Sequence, residues 1–322
     1  MPKPCAPEDV QRSRVQFVAE GYLVLPQYFT SEEIDRILAS IEATLQSHKM
    51  EIVTDSLVDG ERTLYGLARN PESQHFKFND LYLISEDVRE VALDPGLTEV
   101  LSALLGGMRP ILCNTLTLMK GSGQPLHIDS LFMTPSTPHH LVAAWMAFED
   151  VDPSAGPLVY YPGSHKIPLY RFRDGSYHAN AEELPDWNNY IEEEIKRRGL
   201  EKKTFLARKG DIFLWHSDLV HGGGVIRDPK RTRRSLVCHY WTEIDTQTCS
   251  DWRLEPLNGG FWINRLPQPV YAAPDRFDDT HPFPEETYLR RNPDLRIPLA
   301  ERRISSGFAH YCSHGHAEGR AI

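Results

Sequence analysis

The chain has no CxxC pair, no long apolar run and no excess of positive charge, and each absence removes a class of function. Its five cysteines (Cys5, Cys113, Cys238, Cys249, Cys312) are scattered and odd in number. That pattern fits reduced thiols and argues against a disulfide framework, a zinc ribbon or a thioredoxin-like site. No stretch approaches the roughly 18 consecutive apolar residues of a membrane helix. The N-terminal MPKPCAPEDVQRSR has no apolar stretch of the kind a secretory signal carries, so a cytoplasmic location is expected. Lysine and arginine number 35 against 45 acidic residues, a formal net charge of -10. This opposes general attraction to nucleic acid or anionic lipid, which both need clustered cations. The short basic runs Lys196-Arg197-Arg198 and Arg231 to Arg234 do not reverse that balance, and the first reads as a solvated helix end. No internal repeat or low-complexity tract is present. The expected partner is a small molecule, with no nucleic acid and no membrane, in a monomer or homo-oligomer.

What is present is ordinary globular composition, 40% hydrophobic and 25% charged over 322 residues, enough for one large domain with terminal additions. The first 50 or so residues read as two helices. Thr30 three residues before Glu33 forms a plausible capping box, followed by Ile34, Ile37, Leu38, Ile41 and Leu45 at helical spacing. LTEVLSALLGG reads as another helix, stopped by Gly106 and Gly107. After it the pattern turns to strands: ILCNTLTLM, HLVAAWMAFEDV, PLVYYPGSH, KTFLARKGDIFLW and RRSLVCHYW are short, β-branched or aromatic, and bounded by Gly, Pro, Asp or Ser. Such a series predicts a sandwich or barrel. A partly helical insertion from about Ala181 to Arg198, closed by Gly199, interrupts it. From about Pro267 proline becomes frequent and strands stop.

Among 14 histidines, position sorts the useful ones. His127 and Asp129, in QPLHIDS after a predicted strand and a Gly-rich turn, stand at i and i+2, where extended backbone sends both side chains to one face. His221, in HGGG after the apolar strand Asp211 to Trp215, supplies a third donor. Two imidazoles and one carboxylate make the facial triad of non-haem iron oxygenases, which leaves positions open for cosubstrate and oxygen. Twelve residues further on, Arg233 precedes Ser235 at the start of the next strand, and a permanently charged planar fork suits the far carboxylate of a dicarboxylate.

These residues resemble the phytanoyl-CoA dioxygenase family of iron and 2-oxoglutarate oxygenases, from about Gly21 to Trp241. The resemblance rests on the HxD triplet, GPLVYYPGSHK (Gly156 to Lys166), KGDIFLWHSDLVHGGG (Lys209 to Gly224) and Arg-x-Ser at 233 to 235. It implies a mainly β fold with flanking helices and a double-stranded β-helix core, jelly-roll and cupin-like. Residues 1–110 would pack on the barrel, 111–245 would form the catalytic core with its insertion near 181–199, and 246–322 would be a C-terminal extension or arm. It implies Fe(II) on His127, Asp129 and His221, 2-oxoglutarate on Arg233 with Ser235, and O2 as oxidant. Succinate and CO2 would leave while a C–H bond of a small substrate is oxidised. Trp145 resembles an aromatic residue set against the cosubstrate, and Asn114 a polar residue directed into the site. Plain barrel core for Trp145 and a backbone-bonded strand end for Asn114 stand beside those roles. An intact carboxylate at Asp129 favours hydroxylation or a related oxidation over halogenation.

The competing residues stay in view. His216-Ser217-Asp218 is a second HxD triplet, and it reads as packing around the site because His221 follows too soon to come from an opposing strand. Arg234 competes with Arg233, with strand alternation allowing only one of them inward. His139-His140 and the tail histidines His310, His314 and His316 are expected to hold no metal. PGSH (162–165) and the triple glycine (222–224) read as turns rather than phosphate cradles, since neither opens a helix in a βαβ context. The alternatives for the whole chain are a cupin-like metalloenzyme that does not use 2-oxoglutarate, an inactive binding barrel, and a structural zinc site, the last disfavoured because such sites prefer four closed ligands.

Overall fold

The computed structural model describes residues 7–48, 52–58, 61–66, 77–246, 252–265, 283–301, 303–304, 306–315, 318 and 320–321. In chain order the first elements are α1 (Pro7–Glu20), β1 (Tyr22–Leu25), α2 (Ser31–Ser47), β2 (Val53–Val58), β3 (Glu61–Gly66) and β4 (Lys77–Asn79). They are followed by α3 (Glu86–Ala92), α4 (Pro95–Leu104), β5 (Pro110–Leu118), β6 (Val142–Ala147), β7 (Leu158–Tyr160), α5 (Leu184–Arg198), β8 (Lys203–Phe205), β9 (Ile212–His216), β10 (His221–Gly223) and β11 (Ser235–Thr242). The chain continues through α6 (Glu243–Thr246), β12 (Arg253–Leu257), β13 (Gly260–Asn264), α7 (Glu285–Arg291), α8 (Arg296–Ala300) and α9 (Gly307–His310).

Local chemistry sets the helix ends. Thr30 and Glu33 form the reciprocal capping box, Thr30 N–H to Glu33 Oε2 at 2.7 Å and Glu33 N–H to Thr30 Oγ1 at 3.2 Å. Asp94 caps α4 through the N–H groups of Gly96 and Leu97, with Pro95 in the first turn. Gly199, at φ +64, closes α5.

Ten strands form one sheet in the order β1-β9-β6-β11-β5-β4-β2-β3, with the β12–β13 hairpin joined in parallel to β5, and β10-β7-β8 form a second. The two sheets face each other as a jelly-roll, mainly β with helices on one side, and are not closed into a barrel by hydrogen bonds among the described residues. Alternation along the strands decides which layer each side chain joins. Val142, Ala144 and Met146, Ile212 and Leu214, and Leu236, Cys238 and Tyr240 pack outward against α1 to α4. Ala143, Trp145 and Ala147, Phe213 and Trp215, and Val237 face inward toward Leu158 and Tyr160 of the small sheet. Trp187 and Ile191 of α5 pack with Ile128, Leu131 and Val220, so the insertion braces both segments that carry the candidate metal ligands.

Two features differ from the sequence reading. KTFLARKGDIFLW is two strands, β8 in the small sheet and β9 in the large one. The hairpin 253–264, placed in the C-terminal extension by sequence, adds to the main sheet. The segment starting at Pro267 lies largely outside the described residues, which resume at 283 with short helices packed around Tyr288, Leu295 and Tyr311. Cys5, Cys249 and His316 also lie outside them. No helix among the described residues is long and apolar enough to cross a membrane.

Candidate metal centre and active-site cavity

His127 and His221 come together through backbone. They form an isolated antiparallel bridge, His127 N–H to His221 O at 2.9 Å and His221 N–H to His127 O at 3.0 Å, which sets the ring centroids 4.3 Å apart. His221 therefore begins a strand, β10, and does not sit in a turn as the HGGG motif suggested. The glycines after it permit close approach: a Cβ at Gly223 would lie 2.8 Å from the Gly123 nitrogen. Asp129 opens a 3-10 turn, so only the extended backbone through Ile128 supports the i, i+2 geometry.

Each imidazole donates Nδ1–H to the carbonyl two residues before it, His127 to Pro125 O at 2.8 Å and His221 to Leu219 O at 2.9 Å. This assignment puts a lone pair on each Nε2; that of His127 accepts the Gln124 Nε2–H at 3.2 Å, a neutral contact that a metal would displace. Asp129 Oδ1 lies 3.7 Å from His127 Nε2 and 3.6 Å from His221 Nε2. The other oxygen, Oδ2, accepts the Trp215 indole N–H at 2.7 Å. His239 Nε2 stands 3.6 Å from the same Oδ2, an electrostatic contact too long for a hydrogen bond. Burial, reinforced by His221, pushes the His127 pKa down to about 3 and keeps that ring neutral, as a metal ligand must be. Burial alone would raise the Asp129 carboxyl, but His221 and His239 outweigh it and hold Asp129 ionised, below the usual carboxylate range. Two imidazoles and one anionic oxygen converging at these distances fit a divalent iron site.

These residues line a cavity of about 630 Å³ between the sheets. At one end Arg233 is 3% exposed, and its hydrogen bond is Nη1–H to Gly156 O at 2.7 Å. Its Nε has no partner, and no carboxylate pairs with it among the described residues. Burial lowers its pKa to about 10, which still leaves it charged at neutral pH. Its guanidinium lies 5.8 Å from the Trp145 ring, whose buried Nε1 is also unpartnered. Arg234 points away: its backbone N–H and Nε–H bond to Glu149 at 2.7 and 3.0 Å. Ser235 is fully buried with an unpartnered Oγ, but it does not line the cavity. Asn114 lines it and is already engaged, by Asp80 on one side and His239 on the other.

The second HxD triplet also has company. His139, His216 and Asp218 converge, yet their atoms are largely taken: Asp218 accepts from Ser130 Oγ at 2.6 Å and His139 Nδ1 at 2.7 Å, and His216 Nδ1 accepts the Asp218 N–H at 3.1 Å. This cluster ties the loop after Asp129 to the segment before His221. Residues that sequence reasoning missed are Trp215, His239 and Asn79, the last a cavity-lining side chain with neither amide atom paired among the described residues. Alternation inward from Arg233 through Ser235 and Val237 was a signal for His239. At the far end Phe132, Met133, Trp241 and Trp252 form an apolar mouth, with the two indoles stacked at 5.4 Å.

A sequence model described as Phytanoyl-CoA dioxygenase (PhyH) matches residues 17–235. The peroxisomal phytanoyl-CoA dioxygenase of Rattus norvegicus is 26% identical over 233 residues, covering 68% of this chain and 64% of that protein. The Homo sapiens protein of the same description is 32% identical over 126 residues, 38% of this chain and 34% of that one. The match thus spans less than two thirds of these relatives' own length. Among solved structures, the non-heme alpha ketoglutarate dependent carbocyclase SnoK from nogalamycin biosynthesis aligns with a TM-score of 0.57 at 18% identity, covering 80% of this chain and 96% of that one. EctD from S. alaskensis with 2-oxoglutarate and 5-hydroxyectoine aligns with a TM-score of 0.51 at 19% identity, covering 73% and 76%. Likeness at that identity shows a shared fold.

Proposed function

The chain belongs to the phytanoyl-CoA dioxygenase family, and on that premise we propose that it is an Fe(II)- and 2-oxoglutarate-dependent oxygenase that hydroxylates a C–H bond of a small molecule. His127, Asp129 and His221 hold the iron, and Arg233 receives the distal carboxylate of 2-oxoglutarate beside Trp145, with Ser235 two residues on in the buried layer behind the cavity lining. When bound, iron and cosubstrate supply oxygen activation coupled to conversion of 2-oxoglutarate to succinate and CO2. The chain's own residues do the rest. The two carbonyls behind His127 and His221 fix their tautomers, Trp215 orients Asp129, and the inward apolar layer of Trp145, Leu158 and Val237 limits water around the cosubstrate.

The observation that carries the reading is Arg233: a buried cation without a carboxylate partner among the described residues, in the same cavity as three converging metal donors. A charge left unpaired in the interior costs several kcal/mol unless a ligand offsets it. A cupin-like enzyme without 2-oxoglutarate, or an inactive barrel, would need some other anion to offset that guanidinium. Anaerobic titration with Fe(II) and then 2-oxoglutarate tests the reading. A weak visible metal-to-ligand charge-transfer band that saturates at one equivalent of each is expected, and no band with iron demonstrably bound would refute it.

A further inference from the structure

We infer that His239 is a positioning residue of the iron site, held against Asp129 by a buried chain of polar contacts that starts on the C-terminal hairpin. Arg265, directly after β13, donates Nη2–H to Asp80 Oδ2 at 2.6 Å. Asp80 Oδ1 accepts the Asn114 Nδ2–H at 2.8 Å and the Thr115 N–H at 3.0 Å. Asn114 Oδ1 accepts His239 Nδ1–H at 3.0 Å, and His239 Nε2 faces Asp129 Oδ2 at 3.6 Å.

Every orientation along this chain is decided by its neighbour. A carboxylate only accepts, so Asn114 must turn its NH2 to Asp80 and its oxygen to His239. That oxygen requires the proton of His239 on Nδ1. Asp80, Asn114 and His239 are 4%, 9% and 4% exposed, so water does not compete for these groups. Asp80 occupies a left-handed backbone conformation, φ 55, which Asp tolerates better than most residues and which puts its carboxylate within reach of both strands. The outcome is that Asp129 Oδ2 is confined between the Trp215 N–H and the edge of His239, which keeps Oδ1 presented to His127 and His221. His239 lies on β11 and Arg265 directly after β13, so the C-terminal hairpin reaches the site through Asp80 and Asn114.

The inference rests on the iron reading above, and the test separates the two. Fe(II) affinity is read from the charge-transfer band at saturating 2-oxoglutarate, and melting temperature is recorded alongside. His239→Leu and Asn114→Leu are each expected to weaken Fe(II) binding roughly 10- to 100-fold, the usual loss when a group supporting a metal ligand is removed. Arg265→Gln, at the far end, should cause a smaller loss of the same kind. His239→Gln, which keeps a polar edge toward Asp129, should recover most of the affinity and guards against the leucine variant failing to fold. Unchanged iron affinity in His239→Leu and Asn114→Leu, with or without a lower melting temperature, overturns the inference. So does a rise in the 2-oxoglutarate constant alone in Asn114→Leu, which would hand Asn114 to the cosubstrate. Absence of the band in the wild-type protein would instead strike the iron reading.

Discussion

Replacing Arg233 tests the centre of the functional reading, because the structure predicts two effects of opposite sign. With 3% exposure, one hydrogen bond to Gly156 O and no carboxylate partner among the described residues, the guanidinium should destabilise the ligand-free protein. Bound 2-oxoglutarate converts that burden into a charge-assisted, bidentate contact. Truncating one side of such a pair typically costs about 2 to 5 kcal/mol. At about 1.4 kcal/mol per tenfold, the 2-oxoglutarate constant of Arg233→Ala should rise roughly 30-fold to several thousand-fold. Iron affinity should barely change, since Arg233 touches none of the three donors. Arg233→Met, which removes the charge but fills the space, should raise the melting temperature of the ligand-free protein by roughly 2 °C or more. Arg234→Ala is the control: its partner Glu149 is part-exposed, so about 0 to 1 kcal/mol of stability and no cosubstrate affinity should be lost. The assay is anaerobic spectrophotometric titration with 2-oxoglutarate, paired with thermal melts. An unchanged constant in Arg233→Ala, or a rise confined to Arg234→Ala, would refute the assignment.

Further outcomes follow from the same geometry. His127→Ala or His221→Ala removes one of three donors and should leave less than a tenth of the iron bound after gel filtration; stoichiometric iron in either variant would exclude that residue. Asp129→Gly should likewise stop hydroxylation, measured as loss of substrate-coupled succinate release, and chloride should restore part of its iron binding. Asn79→Leu removes a buried amide with neither atom paired, whose burial costs about 1 to 3 kcal/mol; the ligand-free protein should melt higher, and a lower melting temperature would show that the amide supports the strand. His139 has its pKa raised above 6.5 by hydrogen bonding to Asp218. A raised folded pKa stabilises fully below the unfolded value and loses that contribution as pH climbs through the folded one. His139→Ala should therefore lower the melting temperature more at pH 5.5 than at pH 8.5, and an equal loss at both would contradict the pairing.

How far the fold was legible depended on whether each element carried its own signal. Helix α2 did, because its cap and apolar stripe are both local. Strand β6 (VAAWMA) shows no alternation, since helices cover one face and the cavity layer the other, so its phase emerges only from its neighbours. Strands β7, β8 and β10 have three residues each, too few to display a period, and the separate small sheet stayed hidden in sequence. The β12–β13 hairpin carries a local signal of its own. Asn258-Gly259, at φ 48 and 87, is the two-residue turn that joins strands of matching twist, and it sits between RLEPL and GFWIN.

The site shows why spacing alone cannot choose between two HxD triplets. Both place an imidazole and a carboxylate two residues apart, and both acquire a further histidine in space. They differ in what their donor atoms already do. Asp218 is bonded through both oxygens, to a serine and to His139, and His216 Nδ1 takes the Asp218 N–H. A metal there would have to break contacts that link two loops. Asp129 instead has one oxygen bonded to Trp215 while the other faces two Nε2 atoms whose rings are tethered from behind, with only the Gln124 amide, at 3.2 Å from His127 Nε2, to be displaced. Backbone pairing and tethering thus leave one set of lone pairs converging and the other saturated. That distinction belongs to partners remote in sequence, Trp215 to Asp129 and His139 to Asp218, which is why the motif could name the candidates but only the folded packing could separate them.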